Sequence, residues 1–244
     1  MPLMRASRLA IGGPALVGSA LLAVGAAAQP EPPPPAPVGA HGGVAELGVN
    51  FGFVDAFGDV STQTPAHQRT AGFGGTIELD AGWRLSAPLA LGVFGFGTQL
   101  SQTPAAPWSA DVYEAGAGVA ATWHIRPSAT DYDPWIAIGS GWRAQWLAYL
   151  SDSTTTQHGV EMLRARVGVD LRASPSVALS PVLGASLSTF LVEEVQGGAW
   201  RAISSPAVNT FVFAGVRATV DLSPHPPRPT TQARGPAAPD ASAR

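Results

Sequence analysis

Cysteine and lysine are both missing from this chain of 244 residues. Without cysteine the protein can form neither a disulfide framework nor a thiolate metal site. All 14 basic residues are arginines, and a GC-rich genome is the simplest cause of that bias. Arginine also suits buried, bidentate pairs with carboxylates better than lysine does. Charged residues make up only 13% of the chain and the net charge is −3, so no nucleic-acid partner is indicated.

Long apolar runs are also scarce, and the N-terminus carries the only sustained one. Two arginines precede an apolar segment at 9–25, and three alanines follow at 26–28. This order predicts a secretory signal peptide over 1–28 and a mature protein that begins at Gln29. An uncleaved anchor is the alternative, which the short segment, broken by proline and glycine, disfavours. No later stretch reaches the roughly 18 apolar residues of a transmembrane helix.

Proline is plentiful but confined to particular places. The stretch PEPPPPAP predicts an extended linker over 29–42, and a Pro-rich composition predicts a disordered tail over 223–244. Between them prolines fall at proposed turns, as a β-sheet requires, because proline cannot donate to the strand ladder. Pro181 is the exception, and a β-bulge there would accommodate it.

Residues 43–222 alternate between apolar and polar with a period of two, which is typical of β-strands. Each proposed strand is long enough to cross a bilayer when tilted, which takes roughly 9–11 residues. The expected fold is all-β, an eight-stranded antiparallel up-and-down transmembrane β-barrel. The faces of the third segment stay unassigned, because both are apolar or glycine. The eight segments are about 43–54, 71–85, 89–100, 111–125, 135–149, 158–172, 177–192 and 209–222.

The connections between these segments alternate in length. Four are longer, at 55–70, 101–110, 150–157 and 193–208, whereas those near 86–88 and 173–176 are tight and 126–134 is intermediate. Long loops on one side and short turns on the other are typical of outer-membrane barrels. The pattern predicts a barrel in the outer membrane, in contact with its lipid, with both termini in the periplasm.

Aromatic residues on the apolar faces fall near strand ends, as in the interfacial girdles of membrane barrels. Trp142 lies nearer mid-strand and fits less well, and ordinary core aromatics are the alternative. The predicted girdle residues are Phe51, Phe53, Phe73, Trp83, Tyr113, Trp123 and Trp146.

The polar faces combine six acidic and six basic residues with many glycines. A narrow lumen needs small residues beside long charged ones, and its charges must be paired. Eight strands enclose just enough space for their own side chains, so we expect a plugged lumen and no general diffusion pore. The predicted lumenal charge network is Glu46, Glu78, Asp80, Arg84, Glu114, Arg143, Arg164, Arg166, Asp170, Arg172, Arg217 and Asp221.

With these segments in place, the chain resembles the small outer-membrane β-barrel superfamily of the OmpA/OmpX type. Local echoes are PWIAIGSGW at 134–142 and SPVLGASLSTF at 180–190. The resemblance implies an outer-membrane barrel with outward loops. The chain departs from the pattern in two ways: its last strand, VRATVDL, lacks a terminal aromatic residue, and no peptidoglycan-binding domain follows.

Enzymatic motifs are absent, so neither catalysis nor a cofactor is expected. Ser153, His158 and Glu161 lie close in sequence, but such a spacing is common by chance. An acidic outer rim leaves bound divalent cations possible. Its acidic residues are Asp55, Asp59, Asp111, Asp152, Glu161, Glu193 and Glu194, against Arg69 and Arg201.

Three functions remain open: a structural or surface-interaction barrel, a narrow conduit for small solutes or hydrophobic ligands, and a soluble periplasmic binding barrel. The ion-paired lumen favours the first. The sequence names no protein partner.

Overall fold

The computed structural model describes residues 42–61, 72–101, 110–127, 132–149, 154–174, 176–195 and 197–222. The predicted signal peptide, tail, nearly all of the linker and the middle of several loops lie outside these ranges. Arg69, Asp152 and Ser153 are therefore not placed.

Nine strands account for most of the described residues, which include no helix long and apolar enough to span a membrane. Each strand from β1 to β7 pairs antiparallel with the next one along the chain, and β9 pairs with both β7 and β1. Pairing of β6 with β7 completes the ring, so eight strands form the predicted all-β, antiparallel, up-and-down barrel. The strands are β1 Val44–Phe57, β2 Gly74–Ser86, β3 Leu89–Leu100, β4 Ala110–His124, β5 Tyr132–Tyr149, β6 Thr154–Ser174, β7 Val177–Val195, β8 Arg201–Ala202 and β9 Val208–Asp221.

The barrel has two unlike ends. At one, which we call the termini end, the chain enters β1, leaves β9 and makes the tight turn at 87–88. At the other, the loop end, connections are longer and several strands extend beyond their predicted limits. β6 begins at Thr154 and β7 continues to Val195, while the two-residue β8 pairs with the outer part of β7.

Alternating burial separates a lumenal face from an outer face on every barrel strand. On β9, Arg217 and Thr219 are buried while Val216 is exposed. The same alternation resolves β3, the strand whose faces the sequence left open: Phe94 and Phe96 point into the lumen, and Leu91 and Val93 point outward. The core is therefore the lumen itself, with an exposed apolar wall around it.

A bulge in β6 corrects one sequence interpretation. Glu161 pairs with Ser188 and Leu163 with Leu187, so Met162 is an extra residue that shifts the register. Met162 and Leu163 both face outward, and Glu161, on the other side of the bulge, is fully buried. Glu161 is therefore lumenal and not part of the outer rim, because a bulge reverses the alternation that the sequence argument assumed.

The bulge expected at Pro181 is not found. Pro181 pairs with Val216 of β9 without a register shift, and the shifts between β6 and β7 lie elsewhere. The pairing with β6 is instead interrupted there without insertion of a residue: Gly168 pairs with Val182, and the next pair is Leu171 with Leu179.

Candidate functional site

The centre of the lumen is organised around Glu78 of β2. Its two carboxylate oxygens accept hydrogen bonds from Arg164 and Arg166 of β6, on the far side of the barrel. Glu78 is 1% exposed, and both arginines are buried. Charge-assisted hydrogen bonds of this kind are stronger than neutral ones, and here they tie opposite walls together.

Two carboxylates flank Arg143 of β5. Arg143 donates from Nη1 to Glu114 Oε2 at 2.8 Å and from Nη2 to Glu161 Oε1 at 2.9 Å. Glu161 also accepts from Arg164 Nη1 at 3.1 Å, which joins this group to Glu78. Glu161 thus links the two groups, although the sequence argument assigned it to the rim.

Aromatic faces fill the space between these ions. The Arg143 guanidinium lies 3.7 Å from the ring centre of Phe211 and 4.7 Å from that of Phe96. Arg164 lies 4.6 Å from the ring centre of Phe213 and 5.0 Å from that of Phe94. Such cation–π contacts strengthen when water is excluded. Lumenal aromatic residues were not expected from the sequence. Phe211 and Phe213 nevertheless alternate in step with the charged residues of β9, and Phe94 and Phe96 lie on β3, whose faces the sequence left unassigned.

Towards the termini end, two further arginines are held by carboxylates. Arg217 binds both Asp80 oxygens, at 3.0 Å through Nε and 2.5 Å through Nη2. Arg84 Nε donates to Glu46 Oε1 at 2.8 Å. These four residues belong to the predicted network, and in each pair both side chains are about nine-tenths buried or more.

Arg84 also reaches His124, a buried residue at the end of β4. Its Nη2 lies 3.0 Å from His124 Nε2, and His124 Nδ1 lies 2.8 Å from Asp133 Oδ2. Because a guanidinium only donates, Nε2 accepts and the imidazole proton sits on Nδ1, donating to Asp133. Asp133 was not anticipated because the predicted strand began two residues later, at position 135.

Geometry alone makes His124, Asp133 and Asp170 a metal candidate, since one ligand atom of each lies within 4.8 Å of the others. The hydrogen bonds argue against it. A metal on Nδ1 of a neutral imidazole would move the proton to Nε2, opposite the N–H of Arg84. The Asp170 carboxylate is already bound to Trp135 Nε1 at 2.7 Å and to the Ser180 hydroxyl. These three residues therefore fit a hydrogen-bonded cluster better than a metal site.

The remaining predicted network residues also lie on the lumenal side. Asp221 is buried, opposite Glu46 in the ladder, and Arg172 is partly exposed near the termini end. Ten of the twelve predicted residues take part in the side-chain hydrogen bonds described above, together with Glu161, His124 and Asp133.

The predicted girdle residues lie on the outer wall. Phe53 and Phe73 stack with ring centres 5.4 Å apart towards the loop end, and Trp83 and Trp123 lie towards the termini end. All are exposed except Trp146, which is partly covered. The full set so placed is Phe51, Phe53, Phe73, Trp83, Tyr113, Trp123 and Trp146.

Trp142, which fitted the predicted girdle poorly, stacks on His158 with ring centres 5.4 Å apart. His158 in turn contacts Trp200, with ring centres 4.7 Å apart. His158 therefore points outward while Glu161 points inward, so the possible His158–Glu161 catalytic pair is not assembled. At the rim, Glu193 is a buried strand residue that binds Arg201 Nε at 3.0 Å. It was expected in an outer loop, but β7 extends past it.

No family model matches the chain, and no curated protein is similar to it in sequence. Among solved structures it is similar to Neisserial surface protein A, with a TM-score of 0.48 and 16% identity over 72% of this chain and 96% of that one. It is also similar to the attachment invasion locus protein Ail of Yersinia pestis, with a TM-score of 0.47 and 7% identity over 74% and 99%. The chain is also similar to the outer membrane protein OprG of Pseudomonas aeruginosa, with a TM-score of 0.46 and 11% identity over 75% of this chain and 98% of that one. The ladder and burial pattern above define the barrel independently of these likenesses.

Proposed function

We propose that the protein is a structural or surface-interaction barrel of the outer membrane, with a lumen closed by its own side chains. The outer wall supports the membrane location. Leu79, Val119 and Leu183 are each more than 60% exposed there, and the arginines and carboxylates of the network described above point inward. A soluble barrel would show the reverse, since its outer surface faces water.

The filled lumen is the observation that carries the functional proposal. The buried arginines, carboxylates and aromatic rings leave two described cavities of about 10 and 20 Å³ between lumenal side chains. Such volumes hold about one water molecule each, which supports a lumen filled too tightly for a solute to pass. A closed barrel acts through its rigidity and through the loops that it displays.

The proposed orientation rests on the predicted secretion. A chain that arrives through the inner membrane places its short turns and both termini in the periplasm, which leaves the loop end outside. Asp59 lies just past β1, whereas Asp55, Asp111 and Glu194, which were expected in the outer loops, lie in the loop-end parts of β1, β4 and β7. Bound divalent cations at this end stay a prediction.

Cell fractionation combined with surface labelling tests this proposal. We expect the protein in the outer-membrane fraction, with faster gel mobility before boiling than after. An epitope tag inserted in 62–70 should be labelled on intact cells, and the same tag after Ser223 should be labelled only after permeabilisation. Recovery in the soluble periplasmic fraction would contradict the membrane location, and the opposite labelling order would contradict the orientation.

A further inference from the structure

One guanidinium in the lumen is contacted by side chains from both sides of the barrel. Arg143 projects from β5, yet it lies over the ring of Phe211, which belongs to β9, three strands away around the barrel. It also lies over the ring of Phe96 of β3, two strands away in the other direction. A side chain that followed its own wall would meet only the strands beside it. The Arg143 guanidinium therefore lies across the lumen, where the residue is only 2% exposed.

The groups around this guanidinium are of two kinds. Its Nη1 donates to Glu114 of β4 at 2.8 Å, and its Nη2 donates to Glu161 of β6 at 2.9 Å and to the Ser186 hydroxyl of β7 at 3.2 Å. The ring centres of Phe211 and Phe96 lie 3.7 and 4.7 Å from its Cζ atom. Two carboxylates, a hydroxyl and two aromatic rings thus surround one cation, and all five residues are buried. We call these five residues the guanidinium site.

The strand ladder fixes the receiving groups in place. Phe96 pairs with Gly116 of β4, and a Cβ on Gly116 would lie 2.4 Å from ring atoms of Phe96. The ring therefore lies directly against the glycine backbone and has little room to move. Phe211 pairs with Ser186, another member of the site, in the ladder between β9 and β7. The site is thus built by the barrel wall and does not depend on Arg143 for its shape.

Arg143 supplies the charge that the site needs. When its side chain is removed, Glu161 still keeps Arg164 at 3.1 Å. Glu114 keeps none, because no second cation among the described residues lies within salt-bridge distance of it. A buried carboxylate without a partner is costly. The site without Arg143 would therefore present an unpaired carboxylate beside two fixed aromatic rings.

We propose that the guanidinium site is a binding site for guanidinium ions, that Arg143 occupies it as a tethered ligand, and that this occupation keeps the lumen closed. A guanidinium matches the site because it is planar, always charged, and able to donate to two carboxylates while it stacks on aromatic rings. An ammonium ion carries the charge without the planar fork, and a urea has the planar shape without the charge. The closure rests on the proposed function, whereas the binding does not.

Arg143→Ala combined with added ethylguanidinium tests the proposal, because ethylguanidinium is the part of the side chain that the substitution removes. We expect stable current steps from the refolded variant in a planar bilayer. Ethylguanidinium should block them at a concentration at least tenfold lower than ethylammonium, and ethylurea should not block them. Addition of Phe211→Leu should raise the blocking concentration of ethylguanidinium at least fivefold. Arg201→Ala, at the exposed rim, is the control and should stay closed.

A closed Arg143→Ala protein would overturn the inference, and so would equal block by ethylguanidinium and ethylammonium. Current from the parent protein would instead contradict the proposed function, so the two failures are distinguishable. A second variant covers the case in which Arg143→Ala does not refold. Arg143→Lys keeps the charge but loses the planar fork, so it should lose its heat-modifiable gel mobility at a lower temperature than the parent, whereas Arg201→Lys should not. Equal temperatures for Arg143→Lys and the parent would overturn the inference.

Discussion

Replacing Glu78 by glutamine is the most informative single change to the lumen. The substitution keeps the size of the side chain and removes the charge that Arg164 and Arg166 share. Arg164 keeps Glu161 at 3.1 Å, so the loss falls mainly on Arg166, whose side chain is 5% exposed. Removal of one partner of a buried ion pair costs about 3–5 kcal/mol, and we expect a loss of unfolding free energy in that range.

Arg166→Leu provides the contrast. Glu78 then keeps Arg164, so the variant loses one charge-assisted hydrogen bond and leaves no carboxylate without a partner. That loss is worth about 1.5–3 kcal/mol. The double variant should cost less than the sum of the two single changes, because it no longer buries an arginine without its carboxylate.

Urea unfolding of the refolded protein in lipid vesicles measures all three free energies, provided that the slopes agree between variants. The account requires Glu78→Gln to be more harmful than Arg166→Leu. A Glu78→Gln protein within about 0.5 kcal/mol of the parent would show that the lumen is wet enough to screen these charges.

Three further tests, which use five substitutions, rely on the same unfolding measurement. Val167→Arg puts a charge on the exposed outer face of β6 and should lower the free energy of unfolding in lipid by roughly 2–4 kcal/mol. An unchanged free energy would contradict the assignment of this face to the lipid. Arg217→Lys should cost less than Arg217→Leu, because lysine keeps the charge but loses the two-pronged contact with Asp80; equal losses would contradict that geometry. Glu161→Gln should destabilise the protein strongly because Glu161 is buried in the lumen, whereas Glu194→Gln should cost less than about 0.5 kcal/mol because Glu194 is partly exposed. The reverse order would contradict the lumenal position of Glu161.

The number and order of the barrel strands could be predicted because alternation is a local property. All of the segments except the third, which is apolar or glycine on both faces, show their own period of two, and turn prolines mark the boundaries. The lumenal arginines followed from the same parity. The lumenal positions of Arg164, Arg166 and Arg217 could be predicted once the polar face of each strand was assigned to the lumen.

Features that depend on neighbouring strands could not be predicted. The bulge at Met162 is a mismatch between β6 and both of its neighbours, and nothing in the local sequence marks it. Glu161 was misplaced for that reason. The extra length of β6 and β7 at the loop end likewise depends on cross-strand pairing, because residues such as Thr155 are buried only when a partner strand covers them. Partners within the lumen, such as Glu78 with Arg166, depend on barrel closure.

Single-channel conductance tests the central claim, a barrel closed by its own ion pairs, most directly. Refolded protein is inserted into a planar bilayer at neutral pH in 1 M salt, and an open porin in the same bilayer serves as the control. We expect no stable current steps, because ion pairs and aromatic rings fill the lumen and the two cavities described between them measure only about 10 and 20 Å³. Reproducible steps of uniform, ohmic conductance from the folded protein would contradict it.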